Sequence, residues 1–344
     1  MLEMIDLNII WYLLLGFLIC GYAVLDGFDL GVGVLHLFAK GDVERRAMMH
    51  SIGPVWDGNE VWLVVAGGSL FAMFPNAYAT AFSGFYIPFV ALLFMLIFRA
   101  VSLEFRDKET MPWWRKMWDF GFFLSSTVAA LLFGVAIGDL VMGLPIGADM
   151  EYQGTVLNLV HPYSLTTGIL TVVMFAMHGA LYINLKTEGP IRDKAVGWFW
   201  KAFFAFLALW AVVTVWTLVK VPTMIANFGD VWPMWGFAIL TIMAIANIPR
   251  CVKKGLPFRA FVSSGCVIIG LVFLFGMGIY PNMIPSSIDP AYNLTIYNTA
   301  SSQTTLAIGL LMVLIGIPFV ASYTGAIYWV FRGRVSGEIE GAGY

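Results

Sequence analysis

The sequence predicts an all-α polytopic membrane protein with about nine transmembrane helices, forming a single domain over residues 1–344. Three observations predict this class. Hydrophobic residues make up 60% of the chain and charged residues only 12%, about half the charged share of a soluble domain. The mean hydropathy is +0.84. Apolar stretches long enough to cross the hydrocarbon core, about 20 residues each, recur along the whole chain.

The predicted spans are separated by polar or Gly/Pro/Asn-rich breaks such as "FPNAY". No basic residue precedes the first span, and its apolar stretch is too long for a cleavable signal peptide, so we interpret it as a retained helix. The nine spans cover residues 9–38, 56–74, 78–100, 117–142, 163–186, 198–220, 232–250, 258–280 and 304–331.

The basic residues predict the orientation of these spans. Every Lys and Arg except Lys220 falls into a group that lies between alternate spans or after the last one. The groups lie within 40–46, 99–116, 186–201, 250–259 and 332–334. Because cytoplasmic loops carry an excess of Lys and Arg, this alternation predicts a cytoplasmic C-terminus and an N-terminus outside. It also groups Arg99, at the end of the third span, with the cations of the loop that follows.

Four acidic residues stand out within the first two spans. Asp26 and Asp29 belong to the run "LDGFDLG", and Asp57 and Glu60 belong to "WDGNEVW". A spacing of three residues places both members of each pair on one face of a helix. We expect the two faces to meet between the first two helices, in their predicted cytoplasmic halves, and to form one acidic cluster.

Acidic residues inside a membrane are costly and commonly mark proton or ion pathways. One interpretation is therefore a proton relay that opens on the cytoplasm. The alternative is a structural network in which the Asp side chains bond to Asn59 or to the indole N–H groups of Trp56 or Trp62. Asp139, near the outer end of the fourth span, is expected to be a solvated end residue.

The histidines, cysteines and charge weigh against several other classes, and haem ligation within this chain stays the less favoured alternative. Of His36, His50, His161 and His178, only His178 lies well inside a span, whereas a bis-histidine haem needs two ligands at matching depth. Three scattered cysteines without a CxxC spacing indicate neither a metal site nor a disulfide framework. The net charge of −2 gives no sign of nucleic-acid binding. Two GxxxG motifs, in the first and fourth spans, favour close helix packing within the chain or toward another subunit.

Three stretches carry a resemblance to a known family. They are "GYAVLDGFDLGVGVL", "GPVWDGNEVWLVVAGG" about thirty residues later, and "YPNMIPSSIDPAYNLTIYNTASSQTTL". Together they resemble subunit II of the cytochrome bd-type quinol oxidases, and the similarity extends over essentially the whole chain. The spacing of the first two motifs is far more specific than a lone GxxxG.

The resemblance implies a complex in the bacterial cytoplasmic (inner) membrane that oxidises quinol and reduces O₂ to water. It implies two b haems, one d haem and the quinol site in a partner, subunit I, and no cofactor bound directly by this chain. The resemblance also implies a very small single-helix subunit as a further partner, and membrane lipids or quinone in contact with the chain.

The resemblance also implies roles for the acids. Asp57, Asp26 and Asp29 would line a proton-uptake path, with Trp56 and Asn59 completing the motif around Asp57. Glu60 stands where some relatives have Gln, which adds a titratable group. Tyr344 receives no role. Without the resemblance, a proton- or Na⁺-coupled secondary transporter is the alternative, because intramembrane acids bind ions in such proteins. The lack of a visible inverted repeat weighs against it.

Overall fold

The computed structural model describes residues 6–230 and 234–335. This part of the chain is helical almost throughout. Its α-helices are α1 (Leu7–Leu35), α2 (Asp42–Ile52), α3 (Trp56–Met73), α4 (Pro75–Gly84), α5 (Tyr86–Phe105), α6 (Pro112–Met142), α7 (Pro162–Lys186), α8 (Pro190–Lys220), α9 (Ala226–Asp230), α10 (Met234–Lys253), α11 (Pro257–Ile279) and α12 (Gln303–Val330). Tyr344 lies outside the described residues.

Short elements connect the long helices. Strands β1 (Asn282–Ile284) and β2 (Leu294–Thr295) pair antiparallel, with Asn282 opposite Thr295, Ile284 opposite Leu294 and an irregularity between these pairs. Turns of 3₁₀-helix cover His36–Phe38, Arg106–Lys108, Val156–Leu159, Pro222–Ile225 and Pro290–Tyr292. The β-hairpin caps one end of the bundle beside the loop after α6, where Leu144 bridges to Ser286.

Eight helical segments of the described chain are long and apolar enough to cross a membrane. They correspond to eight of the nine predicted spans. The predicted second span forms α3, whose first turn carries Asp57, Asn59 and Glu60 and is too polar to satisfy the same composition criterion. The polytopic helical class is therefore confirmed, whereas the count of nine spans and their orientation stay predictions.

The predicted third span needs a correction. The chain breaks at Phe85, between α4 and α5, and α5 then continues to Phe105 rather than ending near residue 100. Arg99 consequently lies well inside a helix and is completely buried, and not at a span end beside the loop cations with which it was grouped. The helix can continue past a buried cation because that cation is paired, as described below.

Helix α1 forms the centre of the bundle and contacts α3, α6, α7, α11 and α12. Its close approach to α7 depends on small residues. A Cβ added to Gly31 would lie 1.9 Å from the Phe175 carbonyl oxygen, and one added to Gly179 would lie 2.4 Å from the Gly31 carbonyl carbon. The GxxxG motif of α1 therefore packs within this chain, and the motif of α6 does the same, since a Cβ on Gly134 would meet α7.

Candidate functional site

The most buried charges of the bundle meet around Arg99 of α5. Its Nη1 donates a 2.6 Å hydrogen bond to Asp26 Oδ1 of α1, and its Nη2 donates a 3.0 Å bond to Glu60 Oε2 of α3. The Arg99 and Asp26 side chains are 1% and 0% exposed, whereas Glu60 is 22% exposed. Three helices thus hold one guanidinium between two carboxylates, one sealed in the core and one reaching the surface of the chain.

Asp29 lies in the same region and is held by an amide. Asn59 Nδ2 donates to Asp29 Oδ2 at 2.8 Å and also to the Leu25 carbonyl at 3.2 Å. The Tyr328 hydroxyl of α12 donates to Asn59 Oδ1 at 2.9 Å. The hydrogen bond from Tyr328 of the last helix therefore orients the Asn59 amide, and this amide in turn orients the Asp29 carboxylate. We call Asp26, Asp29, Asn59, Glu60 and Arg99 the Arg99 cluster.

The Arg99 cluster carries more acid than base. It holds three carboxyl groups and a single guanidinium. Asp26 Oδ2 and Asp29 Oδ1 are buried and make no hydrogen bond of normal geometry with the described residues, although the buried Tyr22 hydroxyl lies beside Asp26. Each of the two aspartates therefore keeps one oxygen available for a proton or a water molecule.

The fourth predicted acid lies apart from the other three. Asp57 is in the first turn of α3 and is exposed on this chain, whereas its neighbours Trp56 and Asn59 are buried. The expected face-to-face cluster of all four acids is therefore found for Asp26, Asp29 and Glu60 only. Of the contacts expected from a structural network, the bond between Asn59 and Asp29 is present.

Sequence reasoning missed Arg99, the residue that joins Asp26 to Glu60. The positive-inside pattern counted it with the loop cations that follow it. One signal was available, because Arg99 is an isolated charge in the otherwise apolar run "FVALLFMLIFRAV". A lone cation at that depth predicts an acidic partner, and the acids of the first two spans supply it.

A second ionic network surrounds Asp119 of α6, which is 2% exposed. His36 Nε2 lies 2.7 Å from Asp119 Oδ1, Arg106 Nε donates to the same oxygen at 2.6 Å, and Arg45 Nη1 donates to Oδ2 at 2.7 Å. Arg106 also donates to Asp42 at 2.7 Å. This network joins the end of α1, α2, the end of α5 and the start of α6, so it fixes the connections on one side of the bundle.

Asp139 is buried at 1% exposure, so the expectation of a solvated end residue is wrong. The reason is helix packing. Gly138 brings α6 against Ser164 of α7, and this contact encloses the neighbouring carboxylate. Asp139 Oδ1 lies 3.1 Å from Nε2 of His161, the residue that caps α7. Burial also lowers the pKa of His161.

The histidines in the spans do not fit the ligation of a haem. His178 uses both ring nitrogens within the chain, with Nδ1 at 2.6 Å from Ser264 Oγ and Nε2 at 3.1 Å from the Val24 carbonyl oxygen, and its ring stacks on Phe261. His36 is fully buried against Asp119 and Phe122. Within the ranges that the structure describes, no group of three or more His, Cys, Asp and Glu side chains is arranged to hold a metal ion.

Comparison with known proteins gives consistent matches. The model of the family "Cytochrome bd terminal oxidase subunit II" matches residues 7–331. The chain is 34% identical to cytochrome bd-I ubiquinol oxidase subunit 2 of Escherichia coli strain K12, covering 96% of each chain. It is also 34% identical to cytochrome bd ubiquinol oxidase subunit 2 of Bacillus subtilis, covering 97% of this chain and 98% of the relative.

A solved structure supports the same fold. A chain of the bd oxidase from Geobacillus thermodenitrificans superposes with a TM-score of 0.78, covering 95% of this chain and 99% of that one. The sequence identity is 15%, so this likeness concerns the fold alone.

Proposed function

Because this chain belongs to the cytochrome bd terminal oxidase subunit II family, we propose that it supports a haem-bearing subunit I and lines a path for protons taken up from the cytoplasm. The chain is a subunit of a quinol:O₂ oxidoreductase complex and a multi-pass protein of the bacterial inner membrane. In this reaction quinol supplies the electrons, and protons are consumed as O₂ is reduced to water.

The haems, two of b type and one of d type in this proposal, belong to subunit I together with the quinol site. The poor fit of His36 and His178 to haem ligation supports this division of labour. In this proposal the residues of this chain take part in the reaction by holding and moving protons. The reported matches are all to oxidases or oxidase subunits, so nothing favours the secondary transporter.

The observation that carries the proton-path proposal is the charge imbalance of the Arg99 cluster. Three carboxylates with one guanidinium would leave two uncompensated negative charges in a region where burying a charge costs several kcal/mol. Bound protons, or a few water molecules, relieve that cost. A buried group that exchanges protons in this way has the chemistry of a relay.

Burial suggests an order for the proposed path. Asp57 is exposed, Glu60 is partly exposed, and Asp26 and Asp29 are sealed. A proton would therefore arrive at Asp57, pass one turn along α3 to Glu60, and reach the free oxygens of Asp26 and Asp29. Arg99 holds Glu60 and Asp26 at the two ends of one guanidinium, which places them close enough for a shared water molecule to connect them.

The partner surface in this proposal is the apolar exterior of α3, α5 and α12. Val64, Phe94 and Phe319 are 70%, 63% and 73% exposed on this chain. We propose that subunit I covers part of this surface, beside the exposed Asp57, with a very small single-helix subunit and membrane lipids or quinone as further neighbours.

The test is the rate of O₂ consumption by the purified complex with quinol as donor. Asp29→Asn keeps the hydrogen bond to Asn59 possible but cannot release a proton, so we expect the rate to fall by about 100-fold, the lower end for loss of a proton-transfer group. Asp57→Asn should give a smaller loss because water can reach that position. Exposed Glu109→Gln is the control and should leave the rate unchanged.

The haem content separates a relay from a scaffold. Each variant is compared with the unsubstituted complex by its reduced-minus-oxidised visible spectrum. Slow O₂ consumption with a normal spectrum supports the relay. A full rate for Asp29→Asn with intact haem removes Asp29 from the path, and a lost haem signal makes it a structural residue.

A further inference from the structure

A groove of about 710 Å³ runs along the outside of the bundle between α10 and α11. Its walls are mainly apolar and include Phe237, Met243 and Ile269. From Phe237 to Arg250 it extends about 20 Å along α10, at about 1.5 Å per residue. One leaflet of the hydrocarbon core is about 15 Å thick. The groove therefore has the length of a lipid acyl chain rather than that of a compact solute.

The polar residues of the groove do not call for a polar ligand. Asn247 and Ser263 both line it, but Asn247 Nδ2 donates to Ser263 Oγ at 2.9 Å, and Ser263 Oγ donates in turn to the Arg259 carbonyl. Thr241 donates to the Phe237 carbonyl oxygen of its own helix. These three side chains thus donate hydrogen bonds to the walls themselves, which suits an apolar occupant.

One end of the groove is strongly basic. Arg250 lines it, Lys253 ends α10, Lys254 lies in the turn between the two helices and Arg259 lies in the first turn of α11. All four side chains are exposed, and none forms an ion pair within the described ranges; Lys253 lies over the Trp200 ring. The sequence from 231 to 288 contains no Asp or Glu, so this positive charge has no acidic neighbour along the chain.

We propose that the groove between α10 and α11 binds one acyl chain of an anionic phospholipid, with the lipid phosphate at Arg250 and the neighbouring lysines. The apolar walls accommodate the chain, and the unpaired cations complement the headgroup. This end of the groove is on the predicted cytoplasmic side, where anionic lipids give the membrane surface its negative potential. The site uses no residue of the Arg99 cluster and does not depend on the proposed proton path.

The experiment uses the whole oxidase complex, reconstituted in nanodiscs that contain equal amounts of phosphatidylglycerol and phosphatidylethanolamine. Native mass spectrometry then counts the lipids that stay bound. We expect the unsubstituted complex to retain more phosphatidylglycerol than phosphatidylethanolamine. Arg250→Gln should lower the ratio of retained phosphatidylglycerol to phosphatidylethanolamine about fivefold, the effect of one basic residue at an anionic lipid surface. Lys116→Gln, an exposed cation elsewhere on the predicted cytoplasmic side, is the matched control.

A second pair of variants tests the groove itself. Ala246→Trp fills the groove without changing the charge, and we expect it to remove the retained lipid of either kind. Ile242→Trp places the same bulk on an exposed part of α10 outside the lining and should retain the lipid. Retention of quinone instead of phospholipid would overturn the proposal. So would an equal ratio for Arg250→Gln and Lys116→Gln, or unchanged lipid retention in Ala246→Trp.

Discussion

Replacing Arg99 by Met is the sharpest test of how the acids are held in the membrane. Met has a similar length but no charge, so the substitution leaves Asp26 buried beside Asp29 with no cation. Asp26 is 0% exposed and lies 2.6 Å from the guanidinium, so bulk solvent does not reach this carboxylate to replace the lost partner. Glu60 is 22% exposed and can be solvated in part, so its share of the loss is smaller.

Two estimates of the loss agree. Removing one partner of a buried ion pair typically costs about 3–5 kcal/mol. Two unit charges about 4 Å apart at an effective dielectric constant of about 20 interact by about 4 kcal/mol. At about 2 °C per kcal/mol, the value for a large domain, we expect the Tm of this chain within the complex to fall by about 6–10 °C.

The assay is thermal unfolding of the purified complex, followed by intrinsic tryptophan fluorescence at fixed detergent and protein concentrations. Arg115→Met is the matched control, since Arg115 pairs with Asp42 at 2.9 Å but both side chains are partly exposed, at 22% and 38%. Such a pair contributes about 1 kcal/mol or less. The Arg115→Met variant should therefore lose at most about 2 °C.

A double variant completes the argument. Arg99→Met combined with Asp26→Leu removes the sealed carboxylate together with its partner, and replacing a buried pair by apolar side chains is often neutral. We expect this double variant to regain at least half of the lost Tm. Equal losses for Arg99→Met and Arg115→Met would show that the buried pair stabilises the chain no more than the exposed one. A double variant that is no more stable than Arg99→Met alone would contradict the prediction as well.

Two further substitutions test the packing and the second ionic network. Gly31→Ala should destabilise the complex by about 1–3 kcal/mol, because the added Cβ would meet the backbone of α7. Gly67→Ala is the control: its Cβ would meet open space, so the change should be neutral or stabilising by up to about 1 kcal/mol. Denaturant unfolding measures both variants, and equal effects would contradict the assigned packing. Asp119→Asn weakens two buried contacts, to His36 and Arg106, and a partly buried one to Arg45, and should cost about 3 kcal/mol. Exposed Asp149→Asn should show no measurable loss in the same thermal scan, and a wild-type Tm for Asp119→Asn would show that this network adds no stability.

The relay and the scaffold interpretations of the acids share the same contacts. Asn59 orients Asp29, and Arg99 orients Asp26, whether or not protons pass. The two interpretations differ in the roles of Asp26 Oδ2 and Asp29 Oδ1. A pure scaffold would gain stability from donors aimed at these buried oxygens. The Tyr22 hydroxyl lies beside Asp26, whereas Asp29 Oδ1 accepts no hydrogen bond of normal geometry from the described residues. This is the reason the proposal gives the free oxygens a part in proton transfer.

The class of this protein and its family could be predicted from composition and motifs. The apolar composition and the recurring spans predict a helical membrane protein because crossing the hydrocarbon core requires long apolar segments whatever their arrangement. The motifs around Asp26, Asp29 and Asp57 were likewise readable, since charges in an apolar run are conspicuous. The family follows from the residues alone, and the matches confirm it.

Which charges meet could not be predicted from the sequence, because it depends on how the helices pack. Helical periodicity places Asp26 and Asp29 on one face but does not say which helix lies opposite, and the partner proved to be Arg99 of α5, about seventy residues later. Asp57 and Glu60 share one turn of α3, yet one is exposed and the other joins the cluster, because the rotation of α3 is set by its contacts with α1. Burial of Asp139 depends in the same way on how closely Gly138 lets two helices approach. The depth of a residue in the membrane can be predicted from its position along the chain. The direction in which a helix face points depends on the helices that pack against it.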